Sequence, residues 1–166
     1  MDQEKSEGRA SFSPQKLLPS TTVILYEPCV QRMSLTWRVL CHQRADNRLW
    51  GFIGGAQELG ENIIECAIRE AYEETGFHVT IERLACIDSA LDSNIMHYPD
   101  GQIIQYMNIT FTARLLDNTL YDQYRLSQES IDMGWFYSHQ LPQPFSDAHA
   151  WRLFQAIHIN QAPPVR

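Results

Sequence analysis

The sequence predicts a mixed fold of the α+β or α/β class, on three observations. β-Branched and apolar runs of strand length recur along the chain, one internal segment has helical rather than alternating periodicity, and a second helical segment lies near the end. With 166 residues the chain can bury one proper core but is too short for two ordinary domains. A single domain over residues 20–160 is expected, preceded by a loose polar arm over 1–19 and followed by a tail over 161–166.

The elements follow in order. Thr21-Thr22-Val23-Ile24-Leu25-Tyr26 reads as a central strand and Trp37–Arg44 as its neighbour. Asp46-Asn47 marks a turn, after which Leu49-Trp50-Gly51-Phe52-Ile53 runs into Gly54-Gly55. Asn62–Thr75 is helical, and Val79–Ser89 and Ile103–Leu116 are further strands. His97-Tyr98-Pro99-Asp100-Gly101 is a turn, because proline presets φ and glycine tolerates the positive region. Met133–Tyr137 is a short strand, and Ser146 or Asp147 caps a last helix through about Ile159. Trp50 and Trp135 are assigned to packing.

The formal net charge of −7 argues against broad binding to nucleic acid polymers or anionic membranes, where basic faces supply most of the affinity. No apolar run approaches the ~20 residues of a bilayer crossing, and the first residues lack an export pattern, so a cytoplasmic address is expected. Cys29, Cys41, Cys66 and Cys86 are too scattered for a zinc motif and read as buried thiols. His97, His139 and His149 have no spacing that argues for ligation, and each reads as a satisfied or exposed histidine.

The helix over 62–75 carries the chemistry. On a wheel of about 100° per residue, Ile64, Ala67, Ile68, Ala71, Tyr72 and Thr75 form one broad face, expected to pack on the sheet. Glu70, Glu73 and Glu74 share another, narrow face. Glu70 and Glu74 are like charges at i,i+4, and all three lie in the last turns, where the helix dipole is already negative. Gly76 then stands at the C′ position, ending the helix behind the carboxylates. Hard oxygen ligands clustered in so unfavourable a place point to a divalent metal such as Mg²⁺ or Mn²⁺.

At these residues the chain resembles the Nudix hydrolase family. Gly55, Glu61, Arg69, Glu70, Ala71, Glu73, Glu74, Gly76 and Phe77 reproduce its signature with every spacing intact, and Leu49-Trp50-Gly51-Phe52 and Trp135-Phe136 are similar to flanking landmarks. The resemblance implies an αβα sandwich with a mixed β-sheet and a loop–helix–loop catalytic unit. It implies that Glu70, Glu73, Glu74 and the Gly55 carbonyl bind Mg²⁺, with Mn²⁺ as a substitute, that Arg69 orients the glutamates, and that Glu61 supports the loop or serves as a first-turn acid. The chain departs from many relatives in having Ile53 where they have proline before the double glycine, which is expected to loosen the approach of Gly55 to the metal.

The implied reaction is hydrolysis of a diphosphate linkage in a nucleoside diphosphate joined to another moiety, ADP-ribose or a nucleotide sugar. Two alternatives stand beside it: a house-cleaning pyrophosphatase of oxidised nucleoside triphosphates, and a Nudix-fold binding domain without catalysis. For the general base Glu70 is the first choice and Glu129, in the later acidic loop, the second. Arg44 suits phosphate oxygens at the end of its strand. Tyr98, in a Tyr-Pro-Asp-Gly turn similar to one in some bacterial relatives, is placed to stack on a base. The partner is therefore a small nucleotide, and homodimers are common among relatives.

Overall fold

The computed structural model describes residues 14–31, 34–117 and 121–158, so most of the expected arm and the whole tail lie outside the described residues. The strands are β1 Lys16–Gln31, β2 Ser34–Arg44, β3 Trp50–Gly51, β4 Val79–Asp88, β5 Ile95–His97, β6 Ile103–Leu115 and β7 Ser130–Tyr137, and the helices are α1 Ile63–Thr75 and α2 Asp147–His158. They form one mixed sheet in the order β3-β2-β1-β6-β4, with β7 added to β2 and β5 to β6. Every pair is antiparallel except β1–β6.

β1 is the central strand, as its β-branched run predicts, but it starts at Lys16, inside the segment expected as an arm. Its first part runs parallel to β6 from Lys16↔Ile104 to Leu25↔Ala113, and its last part, from Tyr26, pairs with β2. Because side chains alternate across a strand, β1 feeds two cores. Val23 and Leu25 join Ala67 and Ala71 of α1, with Phe111, Ala113 and Leu115 of β6. Ile24 joins Leu153 and Ala156 of α2, with Val39, Cys41, Trp50 and Phe52. A helix thus covers each face of the sheet. The molecule is an αβα sandwich.

α1 begins at Asn62, whose side chain accepts from the backbone N–H groups of Ile64 and Glu65 while the Glu65 carboxylate accepts from Asn62 N, a full capping box. It ends at Gly76, whose φ of 78° lies in the left-handed region that glycine enters without strain. Its packing face differs from the wheel expectation. Cys66, Ala67, Ala71, Glu74 and Thr75 are buried, whereas Ile64, Ile68 and Tyr72 stay 38–47% exposed. The buried sector has rotated toward Glu74, because that carboxylate has a hydrogen-bond partner inside the protein and the apolar edge meets no sheet.

Ser146 caps α2, its carbonyl accepting from Ala150 N at 2.9 Å, and Asp147 is the first-turn acid. Trp50 is buried edge-on against Phe136, and Trp135 packs against the α1-side core with its Nε1–H donating to the Tyr121 carbonyl at 2.6 Å. No helix of the described residues is long and apolar enough to cross a membrane.

Candidate active site

The double-glycine loop is fixed by β1. Thr21 N donates to Gly55 O at 2.8 Å, Val23 N to Ile53 O at 2.9 Å and Gln57 N to Pro19 O at 3.0 Å, so the loop behaves as a partial antiparallel strand along β1. Ile53, standing where proline was noted as missing, is fully buried in the α1-side core. Burial and pairing therefore pin a loop expected to be loosened. Gly54 has φ 145° and packs against the Thr21 carbonyl, and a side chain on Gly55 would collide with the Glu70 carboxylate. Backbone and carboxylate are in close contact there, although the Gly55 carbonyl already accepts one hydrogen bond from β1.

The three signature glutamates do not share one environment. Glu74 is 4% exposed and accepts from Gly54 N at 3.0 Å. Burial, with Glu70 and Glu129 nearby, pushes its carboxyl up to about 8 despite that hydrogen bond. Glu70 faces the pocket, and burial raises its carboxyl too, against the pull of Arg69. Glu73 instead turns to solvent, 57% of its side chain exposed, and pairs with Arg69 at 3.0 Å. The expected trio splits because α1 is rotated about its axis: Glu74 is drawn inward to a backbone N–H and Glu73 is carried outward.

Arg69 organises this end of the helix. Its guanidinium holds Glu61 through two hydrogen bonds of 3.0 and 2.8 Å, Glu70 at 2.8 Å, Glu73 and the Ala56 carbonyl. The guanidinium and the Glu58 N–H hold the Glu61 carboxyl down at about 2. Glu61 precedes the N-cap, so it is a loop support and not the first-turn acid, which is Glu65.

Gly54, Gly55, Ala56 and Glu70 border a pocket of about 360 Å³. Glu129 reaches it because Ala45 N donates to the Glu129 carbonyl and a register shift beside Arg44 joins β2 to β7. Arg44 lines it as well, its guanidinium engaged by Asp46 at 2.9 and 2.6 Å. Tyr98 also lines it from the 98–101 turn, its hydroxyl 2.6 Å from that of Tyr106. The structure thus brings together Gly55, Glu70, Glu129, Arg44 and Tyr98, with Glu74 just behind, and leaves Glu73 outside.

The rest of the pocket was not foreseen. Ser20 and Thr22 of β1 and Asn108 of β6 line it from one face of the sheet, Asn108 Nδ2 donating to Ser20 Oγ at 3.2 Å. Asn94 and Met96 come from the β5 region, and His149 and Arg152 from α2. Arg152, 4% exposed, donates to Thr22 Oγ1 at 3.2 Å, Asp88 Oδ2 at 3.2 Å and Asn94 Oδ1 at 2.9 Å. The one signal available in sequence was polar Ser20 and Thr22 ahead of apolar Ile24 on a shared strand face.

For a metal, the donor chemistry fits. Glu70 and Glu74 are hard oxygen donors whose charge the protein compensates incompletely, as the raised Glu74 carboxyl shows. No three acidic, His or Cys side chains among the described residues stand as a ready-made cage. Mg²⁺ needs none, since it takes one or two carboxylates and completes its octahedron with water and phosphate.

A family model for the NUDIX domain matches residues 16–157. No curated protein matches the sequence. Among solved structures the chain is similar to an ADP-ribose pyrophosphatase from Streptococcus suis 89-1591, at 18% identity over 89% of this chain and 97% of that one, with a TM-score of 0.62. It is similar to a UDP-X diphosphatase at 21% identity over 97% and 71%, TM-score 0.66. It is also similar to a MutT NUDIX hydrolase from Burkholderia pseudomallei, at 22% over 84% and 97%, TM-score 0.59.

Proposed function

The chain belongs to the Nudix hydrolase family, and from that premise we propose that it hydrolyses the diphosphate linkage of a nucleoside diphosphate joined to a second moiety, ADP-ribose or a nucleotide sugar, with Mg²⁺ or in its place Mn²⁺. One observation carries the reading: the carboxylates border a group of uncharged hydrogen-bonding side chains, and the two arginines of the pocket already face aspartates. A triphosphate would bring more negative charge to a site with little cation to spare, whereas a diphosphate diester brings less and offers hydroxyls to Ser20, Asn94 and Asn108. The names of two similar structures, an ADP-ribose pyrophosphatase and a UDP-X diphosphatase, agree with this.

Glu70, Glu74 and the Gly55 carbonyl, which the Cys66 thiol touches only at 4.0 Å, would hold the metal. When bound, it would neutralise phosphoryl oxygens and lower the pKa of the attacking water. Glu70, whose burial raises its proton affinity, is the base that takes a proton from that water, with Glu129 as the alternative across the pocket mouth. Arg69 fixes the Glu70 carboxylate against Gly55, and Glu73 serves by holding Arg69. Arg44, whose Nε and Nη2 already hold Asp46, has only its remaining N–H groups to turn to phosphate oxygens from the end of β2, and Tyr98 offers a ring to the base.

The test is a panel of ADP-ribose, ADP-glucose and UDP-glucose against 8-oxo-dGTP and ordinary nucleoside triphosphates, with Mg²⁺, read as phosphate products. Hydrolysis of the first group at the higher kcat/KM is expected. Turnover confined to triphosphates would establish the house-cleaning alternative, and silence across the panel would favour a binding domain.

A further inference from the structure

We propose that His149 binds substrate, donating from Nε2 to an oxygen of the nucleoside diphosphate derivative in the pocket; the assignment rests on the pocket being the substrate site. Nothing in the signature points to this residue. It sits in the first turn of α2, and three features aim it.

The first is its tautomer. Phe52 N donates to His149 Nδ1 at 2.7 Å, so Nδ1 carries the lone pair and the ring proton resides on Nε2. The second is the ring's orientation. It lies nearly parallel to the Phe52 ring, 8° between planes, and it is the Nδ1 edge that presses on β3. A Cβ added to Gly51 would collide with Nδ1 and come within 3.0 Å of Cε1 and 3.4 Å of Cγ. Glycine at 51 is therefore what lets the imidazole seat. The opposite edge, bearing Nε2, is turned away from β3, and the residue lines the pocket beside Thr22 and Arg152.

The third is charge. Burial, with Arg152, His42 and Arg44 around it, holds the imidazole well below its ordinary value. Protonating Nδ1 would also set a donor against the Phe52 N–H donor. His149 thus stays a neutral, one-proton donor where a lysine or arginine would add charge. Such a donor suits a phosphoryl oxygen or a sugar hydroxyl, and the two sources can be separated.

The test uses the full chain, ¹⁵N-labelled and free of metal, with the His149 ring resonances identified by their loss in His149→Asn. The Nε2–H tautomer is expected in the free protein, and ADP-ribose should move the Nε2 resonance. If inorganic pyrophosphate moves it too, the acceptor is a phosphoryl oxygen; if only ADP-ribose does, it is on the sugar. His149→Asn keeps an acceptor near Nδ1 for Phe52 but has no donor at Nε2, and should bind ADP-ribose about tenfold more weakly with little loss of stability. His149→Gln places an N–H near Nε2 and should recover most of that affinity. A resonance unmoved by either probe, or equal affinity in wild type and both variants, overturns the assignment. A moved resonance in a protein that hydrolyses no diphosphate would uphold His149 and sink the hydrolase reading; turnover with an unmoved resonance would do the reverse.

Discussion

Replacing Arg152 by methionine should be the most damaging single change outside the signature. The substitution keeps the apolar stem in a slot 4% exposed but removes the guanidinium from Asp88, Asn94 and Thr22. Asp88 is fully buried and keeps the Ala90 N–H at 3.2 Å among its partners, but loses the guanidinium that faces its charge. Removing one member of such a pair costs about 3–5 kcal/mol, mostly as the penalty of the charge left behind. For a domain of this size that is a fall in Tm of roughly 10 °C. Urea unfolding of wild type, Arg152→Met, Asp88→Asn and the double variant would measure it. The double variant should regain about 1–3 kcal/mol over the sum of the singles, because the buried carboxylate charge is gone with its counter-ion. A loss under about 1 kcal/mol in Arg152→Met, or strict additivity in the cycle, would show that the pair is not coupled as its geometry implies. The variant should also bind ADP-ribose more weakly, since Asn94 and Thr22 line the pocket and lose their common anchor.

Glu74→Gln should lower turnover by orders of magnitude while leaving the fold intact, because the amide oxygen can still accept from Gly54 N; unchanged turnover would remove Glu74 from the metal site. In wild type, Mg²⁺ at a hundred times its Kd should stabilise the fold by about 2.7 kcal/mol, and differential scanning calorimetry should find that shift lost in Glu74→Gln. His42, 1% exposed and bonded to Ser130 Oγ at 2.7 Å, is held down to about 4 by burial, against an ordinary 6.5. The unfolded chain therefore binds the extra proton first. The stability linked to His42 is complete above pH 6.5 and is lost as pH falls toward 4, by up to about 3 kcal/mol. His42→Gln should flatten that part of the profile relative to wild type; His149 acts in the same direction and the raised Glu70 and Glu74 carboxyls in the opposite one, equally in both proteins, so an unchanged acid limb would refute the linkage.

Much of this architecture was legible in sequence because local signals agreed with the global fold. The long strands announced themselves by β-branched runs, α1 by its helical periodicity and Gly76, and the catalytic unit by spacing. What was missed shares one cause, which is dependence on distant partners. The Lys16–Pro19 stretch becomes strand only because β6 lies beside it, even through Pro19, which has no N–H to give. β5 is three residues long and exists by pairing with the start of β6. The phase of α1 was misjudged by hydrophobicity because Glu74 is buried to meet Gly54 N, twenty residues earlier. His149 reaches back 97 residues to Phe52, and Arg152 reaches back 130 to Thr22.

These distant contacts meet at β1, and that meeting explains how one fold can keep its chemistry while varying its substrate. The stretch from Pro19 to Val23 holds the Gly54-Gly55 loop on one side and β6 on the other. Loop and β6 are thus two strand spacings apart, roughly 10 Å, with Ser20 and Thr22 between them facing the pocket. The carboxylates belong to the loop side, and Tyr106, Asn108 and the β5 residues belong to the other. A change at Asn108 or Met96 moves no carboxylate, whereas a side chain at Gly55 displaces Glu70 directly. Exchanging residues on the β6 side should accordingly alter which diphosphate derivative binds and leave the dependence on Glu70 and Glu74 untouched. The signature is one bank of the pocket, and residues of β5, β6 and α2 line the other.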